Sequence, residues 1–493
     1  MIRRRAVSCR EVVTAALARL DAVNPRINAV VRPLHEQAQA EAAAADQALA
    51  RGAAIGPLHG VPITTKVNVD QTGCPTDNGV VAFKDLVATR DNPVVANLRR
   101  AGGIVIGRTN APAFSMRWFT DNALHGATRN PWDPARTPGG SSGGAAAATA
   151  TGIGAIAHGN DIAGSVRYPA YCCGLVGLRV SYGRIPSYNF TAKVLRPISA
   201  QLMAVQGPLT RRVRDARAAF AAMAVADPND PRCADVPLDG PPVKRPMRVS
   251  LVPDPANRGG GAPAVASAVR QAGRWLEDAG YVVEEMEPPE LGAVADLWAA
   301  IAMEDVIAAL EPAAAQYGDA GIKQALGLWR AVHPPRDVRH MLDGLAQRDR
   351  LLRLWELFLE ERPLVVTPVS NEPAFPVDLD LVDADTTRRI MRAQIMLARG
   401  AGAGAARGVG AHRHRGRPAD GRADHGRPLP GGPLPRGGRR HRGPRPDGAP
   451  DRSPPSVPFG SARRPADQGR RGRMCLIWDD SFSRQGGQMA WVN

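Results

Sequence analysis

Three short stretches carry residues whose types and spacing could do chemistry. Gly139-Gly-Ser141-Ser142-Gly-Gly144 presents two hydroxyls on a backbone that glycine frees for unusual conformations. Ser165 follows in Asp161-Ile-Ala-Gly-Ser-Val-Arg167, where successive backbone N–H groups near a glycine can form an anion-binding nest. Lys66 is the isolated base upstream, set in the otherwise apolar and small-residue run Gly60-Val-Pro-Ile-Thr-Thr-Lys-Val-Asn-Val-Asp70. A serine hydroxyl at its ordinary pKa is a poor nucleophile and needs a neighbouring base. A lysine can serve if burial among residues such as Ile63, Thr65 and Val67 lowers its pKa, because desolvation disfavours the charged form. Serine and lysine together are thus chemically sufficient without histidine, aspartate, metal or cofactor.

The elements that must position these groups alternate between helix and strand, as in an α/β domain. Ser8 and Glu11 form a capping box, and Val12, Val13, Ala16, Leu17, Leu20 and Val23 repeat at helical spacing until Asn24-Pro25, where the helix is predicted to stop. An Ala-rich helix from about Glu36 ends at Gly52, and the Lys66 run reads as a strand. A helix over Asp91 to Arg100 feeds the strand Ile104 to Ile106, and the two serine stretches flank an Ala-rich helix that starts at the serines. A helix over Thr210 to Ala224 precedes a Pro/Asp-rich linker at about 227–245. Beyond it come the strand Met247 to Val252, the helix Ala264 to Ala279, the strand Tyr281 to Glu285, further helices through Glu361, and the strand Leu364 to Thr367.

The chain has 493 residues, 44% of them apolar, which is enough for a sizeable core. Its formal charge of +16 suggests nucleic acid, but the charge is localised: residues 398–473 hold 18 Arg, no Lys and 5 Asp, a net +13. That segment is Arg, Gly, Pro, Ala and His with almost no aliphatic residues, so it cannot build a core. Two readings stay open. One is a disordered basic tail that binds RNA. The other is a change of reading frame between about Leu397 and Ala403, since Arg, Gly, Pro and Ala without Lys is what GC-rich coding DNA yields out of frame. Back-translating Gly404 to Arg436 into GC-leaning codons and shifting by one base permits GLPAVSVPTG and, over Ala419 to Arg436, PTGVQTMAGRYREDLCLA. The six cysteines include no CxxC spacing, and adjacent Cys172 and Cys173 fit a reduced, packed turn. The basic N-terminus lacks the apolar run of a signal peptide and no stretch is of membrane length, so the expectation is a cytoplasmic protein.

Taken together, GVPITTKVNVD, TPGGSSGG and GNDIAGSVRYPAYCCGLVGL closely resemble the amidase signature family of serine amide hydrolases. The likeness runs from about residue 8 to about 225, weakens in the second half, and returns at Val365-Val-Thr-Pro368 and in the shifted-frame strings SVPTG and PTGVQ. The resemblance implies a single large α/β domain over residues 1–397, a mixed β-sheet covered by helices on both faces, followed by the 398–493 tail. It implies Ser165 as the acylated nucleophile, Ser141 as a bridging serine beside an unusual cis peptide, and Lys66 as the general base that must be neutral. The N–H groups of Ile162, Ala163, Gly164 and Ser165 would form the oxyanion hole, with Ser142 supporting the loop by hydrogen bonds and Asp161 and Arg167 paired beneath it. The expected reaction cleaves a small carboxylic acid amide to the acid and ammonia or an amine, with no cofactor and no metal. In three places the sequence departs from the family pattern: Val67 stands where Asp is common, Ala163 where Gly is usual, and the written text past Leu397 lacks the family's C-terminal pattern, which would remove a strand and a helix from the sheet.

Rival readings have their own marks. Gly139-Gly-Ser-Ser-Gly143 matches the GxSxG nucleophile elbow, but that motif needs a strand directly before it, and Asn130 to Pro138 is a proline-rich loop. His158, on an apolar strand, reads as a packed histidine rather than a base, and Tyr168, Cys172 and Cys173 read as packing. Within the same family, an amidotransferase subunit delivering ammonia to a charged tRNA is the alternative. From another class, the alternative is an inactive product whose basic tail binds nucleic acid. Membrane association is not expected, and a homodimer stays open.

Overall fold

The computed structural model describes residues 1–239, 245–255 and 261–397, together with the backbone of Trp491 and Val492. The expectations placed on 398–473, the basic tail and the altered frame, lie outside the described residues, as does part of the linker.

The capping box forms as expected: Ser8 Oγ accepts from the Glu11 N–H while the Glu11 carboxylate accepts from the Ser8 N–H. The helix it opens, α1 (Cys9–Ile27), does not stop at Pro25 but carries it in its last turn. The stop comes at Asn28, which takes the left-handed conformation, while Asn24 Oδ1 accepts from the N–H groups of Ala29 and Val30 and organises the exit. The edge strand β1 (Val30–Pro33), α2 (His35–Ala50), β2 (Pro62–Lys66), α3 (Pro93–Arg100) and β3 (Ile104–Thr109) follow. Asn92 and Pro93 start α3, the asparagine side chain accepting from the Val94 N–H. Next come α4 (Gly143–Ala150), β4 (Ile156–Asp161), α5 (Arg167–Cys173), β5 (Val176–Gly177), α6 (Ile198–Met203), β6 (Val205–Thr210) and α7 (Val213–Met223).

These strands make a mixed six-stranded sheet in the order β1-β3-β2-β4-β6-β5, parallel across β3-β2-β4 and antiparallel elsewhere. Successive β3 side chains explain why both faces are covered. Ile104 and Ile106 pack with α1 and with Ala147 and Ala148 of α4, whereas Val105 packs with Ile63, Val94 and Leu98 of α3, and Phe220 of α7. The expected mixed α/β sheet is therefore present.

After the linker the chain forms β7 (Arg248–Leu251), α8 (Pro263–Asp278), β8 (Val282–Glu285), α9 (Leu291–Ala302), α10 (Ala308–Tyr317), α11 (Ala320–Val332), α12 (Val338–Glu361), β9 (Leu364–Thr367), α13 (Ala384–Ala393) and β10 (Trp491–Val492). Their strands pair in a separate sheet, β10-β9-β7-β8. Helices of this half do not stand apart from the serine loops. Trp298, Ile301 and Trp329 share one buried cluster with Trp118, Ala145, Ala163 and Tyr168. All the described residues belong to one compact unit. No helix among them is long and apolar enough to cross a membrane.

Small residues in α4 let it lie against the main chain of the sheet edge. A methyl on Gly144 would sit 2.5 Å from Asn110 N and 2.7 Å from the carbonyl oxygens of Ala29 and Asn110. None of these backbone atoms can rotate away. Gly144→Ala is therefore expected to destabilise the fold by about 1–3 kcal/mol, read as a lowered denaturant midpoint with an unchanged m-value.

Candidate active site

Lys66 ends β2, and Asn160 and Asp161 end the parallel neighbour β4, which is in register with it through Ile63 and Ile156. The carboxyl ends of these parallel strands thus deliver the site residues to one edge of the sheet, where open α/β sheets place their sites. The Lys66 side chain is wholly buried, and its Nζ lies 2.7 Å from Ser141 Oγ and 2.9 Å from Asn160 Oδ1. Burial pulls its pKa down to about 7, against the opposing charge of Asp161. A lysine drawn down this far by desolvation is partly neutral near physiological pH.

Ser141 and Ser142 precede α4, and the Gly140–Ser141 peptide is cis. Both serines are buried. Ser142 departs from expectation: its hydroxyl has no hydrogen-bond partner among the described residues, and the loop is instead tied through its carbonyl, which accepts from the Ala146 N–H at 3.1 Å. A residue at the mouth of a helix satisfies its carbonyl in the first turn whatever its side chain does.

Between β4 and α5 the chain turns through Ile162 to Val166, and Asp161 organises that turn. Its carboxylate accepts a paired contact from Arg167, Nε at 3.0 Å and Nη2 at 2.9 Å, with Arg179 Nε at 3.4 Å. It also accepts from the main-chain N–H groups of Gly164 at 2.7 Å and Val166 at 3.2 Å. Burial by itself would raise this carboxyl, but the two guanidiniums and the Gly164 N–H hold it well below the usual carboxylate range. The expected Asp161–Arg167 pair is therefore present, and it has a consequence for the expected oxyanion donors. The Gly164 N–H is committed to Asp161 and is not available to an oxyanion. The N–H groups of Ile162, Ala163 and Ser165 make no hydrogen bond among the described residues. Gly164, at φ +104°, takes the left-handed conformation, whereas Ala163 has no positive φ, so its methyl is unstrained. Trp118 Nε1 donates to the Ala163 carbonyl at 2.9 Å and fixes the turn from the other side. Leu397 closes it below, its carbonyl accepting from Arg167 Nη2 and its side chain occupying the space a Gly164 methyl would need.

Two residues near Lys66 went unrecognised in the sequence. Asn160 and Asn68 bond each other through their side-chain amides, Asn160 Nδ2 to Asn68 Oδ1 at 2.9 Å, and Asn68 Nδ2 reaches Ser115 Oγ at 3.0 Å. Asn68 stands two residues past Lys66, in the turn that follows β2. Asn160 directly precedes Asp161. This network is neutral, which matters for the amine it holds: a carboxylate at Asn160 would favour the ammonium form. Asn160→Asp is expected to raise the Lys66 pKa and move the low-pH limb of the rate profile upward by at least about one pH unit, checked by kcat/KM from pH 5 to 10.

His158 is buried with Nε2 2.7 Å from Gln206 Oε1, and burial drives its pKa down to about 3, so it is the packed neutral histidine expected. Tyr168, Cys172 and Cys173 are likewise buried. Among the described residues no group of three or more His, Cys, Asp or Glu could hold a metal ion.

Comparison with known proteins accords with this geometry. The family model Amidase matches residues 11–391. An indoleacetamide hydrolase of Bradyrhizobium diazoefficiens is 45% identical over 391 residues, 79% of this chain and 74% of that protein. A glutamyl-tRNA(Gln) amidotransferase subunit of Moorella thermoacetica is 39% identical over 295 residues, 59% of each chain. Among solved structures, a bacterial aryl acylamidase of the amidase signature enzymes superposes with a TM-score of 0.68 at 25% identity, covering 81% of this chain and 86% of that one. With its Lys66–Ser141 contact and its Asp161-braced turn beside Ser165, the chain belongs to the amidase signature family of amide hydrolases.

Proposed function

We propose that the chain hydrolyses a primary arylacetamide to the aryl acetic acid and ammonia, with Ser165 as nucleophile, Ser141 as proton bridge and Lys66 as general base. The observation that carries this reading is the wholly buried Lys66 amine, drawn down to about 7 and 2.7 Å from Ser141 Oγ. Neutral Lys66 takes the Ser141 proton as Ser141 takes that of Ser165, whose oxygen attacks the amide carbonyl. The N–H groups of Ile162, Ala163 and Ser165 stand ready for the oxyanion. The proton then returns through Ser141 to the leaving nitrogen, ammonia departs, and water activated by the same relay frees the acid from Ser165.

The arylacetamide choice rests on the indoleacetamide hydrolase relative, which is more similar, and over more of this chain, than the amidotransferase subunit. Hydrolysis of indole-3-acetamide, phenylacetamide and propionamide by the full chain tests it, with ammonia release as the readout. A preference of at least about tenfold in kcat/KM for the aryl substrates is expected, since burying the added ring lowers the barrier by more than about 1.4 kcal/mol. Equal or greater turnover of propionamide contradicts the aryl assignment.

A further inference from the structure

The amide that holds Lys66 is itself held, and the holding has a direction. Asn160 Oδ1 accepts from Lys66 Nζ at 2.9 Å and from Asn68 Nδ2 at 3.2 Å, while Asn160 Nδ2 donates back to Asn68 Oδ1 at 2.9 Å. The two amides form a closed, reciprocal pair. Asn68 Nδ2 spends its second N–H on Ser115 Oγ at 3.0 Å, and that hydroxyl donates onward to Asn78 Oδ1 at 2.6 Å. A hydroxyl that gives its proton to Asn78 meets Asn68 as an acceptor, so Asn68 turns its NH₂ towards Ser115 and its oxygen towards the Asn160 NH₂. Asn160 is left with its oxygen facing the lysine. The backbone is bent to support this chain: Asn78, Phe114 and Ser115 hold positive φ of 50°, 56° and 57°, and the Phe114 N–H donates to the Asn78 carbonyl at 3.0 Å. Non-glycine residues keep such angles only where their surroundings impose them, and they gather at functional sites. Asn189 Nδ2 fixes the same point from a third segment, donating to the Asn68 carbonyl at 3.0 Å.

We infer that Asn68 is a positioning residue that sets the polarity of the Asn160 amide, so that neutral Lys66 donates to Asn160 Oδ1 and keeps its lone pair for the Ser141 hydroxyl. A neutral amine has two N–H donors and one lone pair. Were Asn160 turned over, its NH₂ would donate to that lone pair and compete with the Ser141 proton that the base must take. Asn68 touches no reacting atom and acts through Asn160. The inference rests on the Ser165–Ser141–Lys66 relay proposed above, and holds whichever amide is the substrate.

The rate at which a fluorophosphonate labels Ser165 of the full chain, followed by peptide mass spectrometry from pH 5.5 to 10, tests it. Asn68→Leu is expected to lower the high-pH plateau about 10- to 100-fold, with the midpoint of the low-pH limb at or below that of the parent. The substitution changes no charge, so Asp161, whose charge acts on Lys66, and the neutral His158 stay as they are. A residue that merely filled space would leave another signature: water reaching the amine would move the midpoint up from about 7 towards the ordinary 10.5. That upward movement, or a plateau within about threefold of the parent, overturns the inference. In an Asn160→Ala background there is no amide to aim, and adding Asn68→Leu is expected to change the plateau less than about twofold; a further loss of about tenfold overturns the inference. If Asn68→Leu does not fold, Ser115→Ala removes the acceptor that aims Asn68 and is expected to lower the plateau at least about threefold, an unchanged plateau overturning the inference. Labelling of Ser165 that depends on Lys66 but not on Asn68 overturns this inference alone, whereas labelling indifferent to Lys66→Met overturns the relay and the inference with it.

Discussion

Ser165→Ala is expected to lower kcat for amide hydrolysis by about 10⁴-fold or more, with a KM changed only a few-fold. Removing one member of a group that acts as a unit typically abolishes nearly the whole contribution of the unit, while the oxyanion donors leave a small residue of catalysis. Ser165 suits this role by place as well as type. It sits in the turn that Asp161 braces between β4 and α5, close to N–H groups that make no hydrogen bond among the described residues, and is 7% exposed where Ser141 is 1% exposed. The serine proposed to meet substrate is thus the more accessible of the two. Thermal unfolding of the variant should stay within about 1 kcal/mol of the parent, since no hydrogen bond of the Ser165 side chain is lost among the described residues.

Lys66→Met is expected to have a comparable effect on kcat, together with a changed dependence on pH. In the parent, kcat/KM should rise with pH and level off above about 7, because the relay runs only from the neutral amine and burial sets its pKa near that value. Below that midpoint the rate falls about tenfold per pH unit. Stability follows the same group with its own window. The folded state holds Lys66 at about 7 against 10.5 for the ordinary side chain, so between these values the unfolded chain binds the extra proton. Stability therefore rises with pH across that window, by roughly 5 kcal/mol for the group as a whole, and the penalty of a charged buried amine is fully present below 7. Methionine, apolar and similar in length, never charges. The variant should lose this slope and be more stable than the parent at pH 6, as read by denaturant unfolding at pH 6 and pH 9.

The candidate site was legible in the sequence because it lies in short contiguous motifs. The Gly-Ser loop, the Asp161–Arg167 turn and the lone lysine of an apolar strand each declare themselves by local composition, and the Ser8–Glu11 box and the β9 boundaries needed nothing distant. What escaped depends on the third dimension. Pro25 was expected to end α1, but a proline in the last turn gives up only one main-chain bond, and the turn held by Asn24 makes the real exit. The commitment of the Gly164 N–H to Asp161 could not be read from a glycine in a nest-like string, because the same string serves an anion or a side-chain carboxylate equally well. Asn68 and Asn160 are ordinary polar residues until β2 and β4 lie side by side. Trp118, Trp298 and Ile395 likewise meet in one buried cluster only through the packing of the second half against the first.

Ser165 is the proposed nucleophile and Lys66 its proposed distant base. Reaction of the full chain with a fluorophosphonate at pH 8, followed by peptide mass spectrometry, examines both at once. The predicted result is a single adduct on Ser165 that forms at least about 100-fold more slowly in Lys66→Met. An adduct on Ser141, or labelling of Ser165 at an unchanged rate without Lys66, would contradict it.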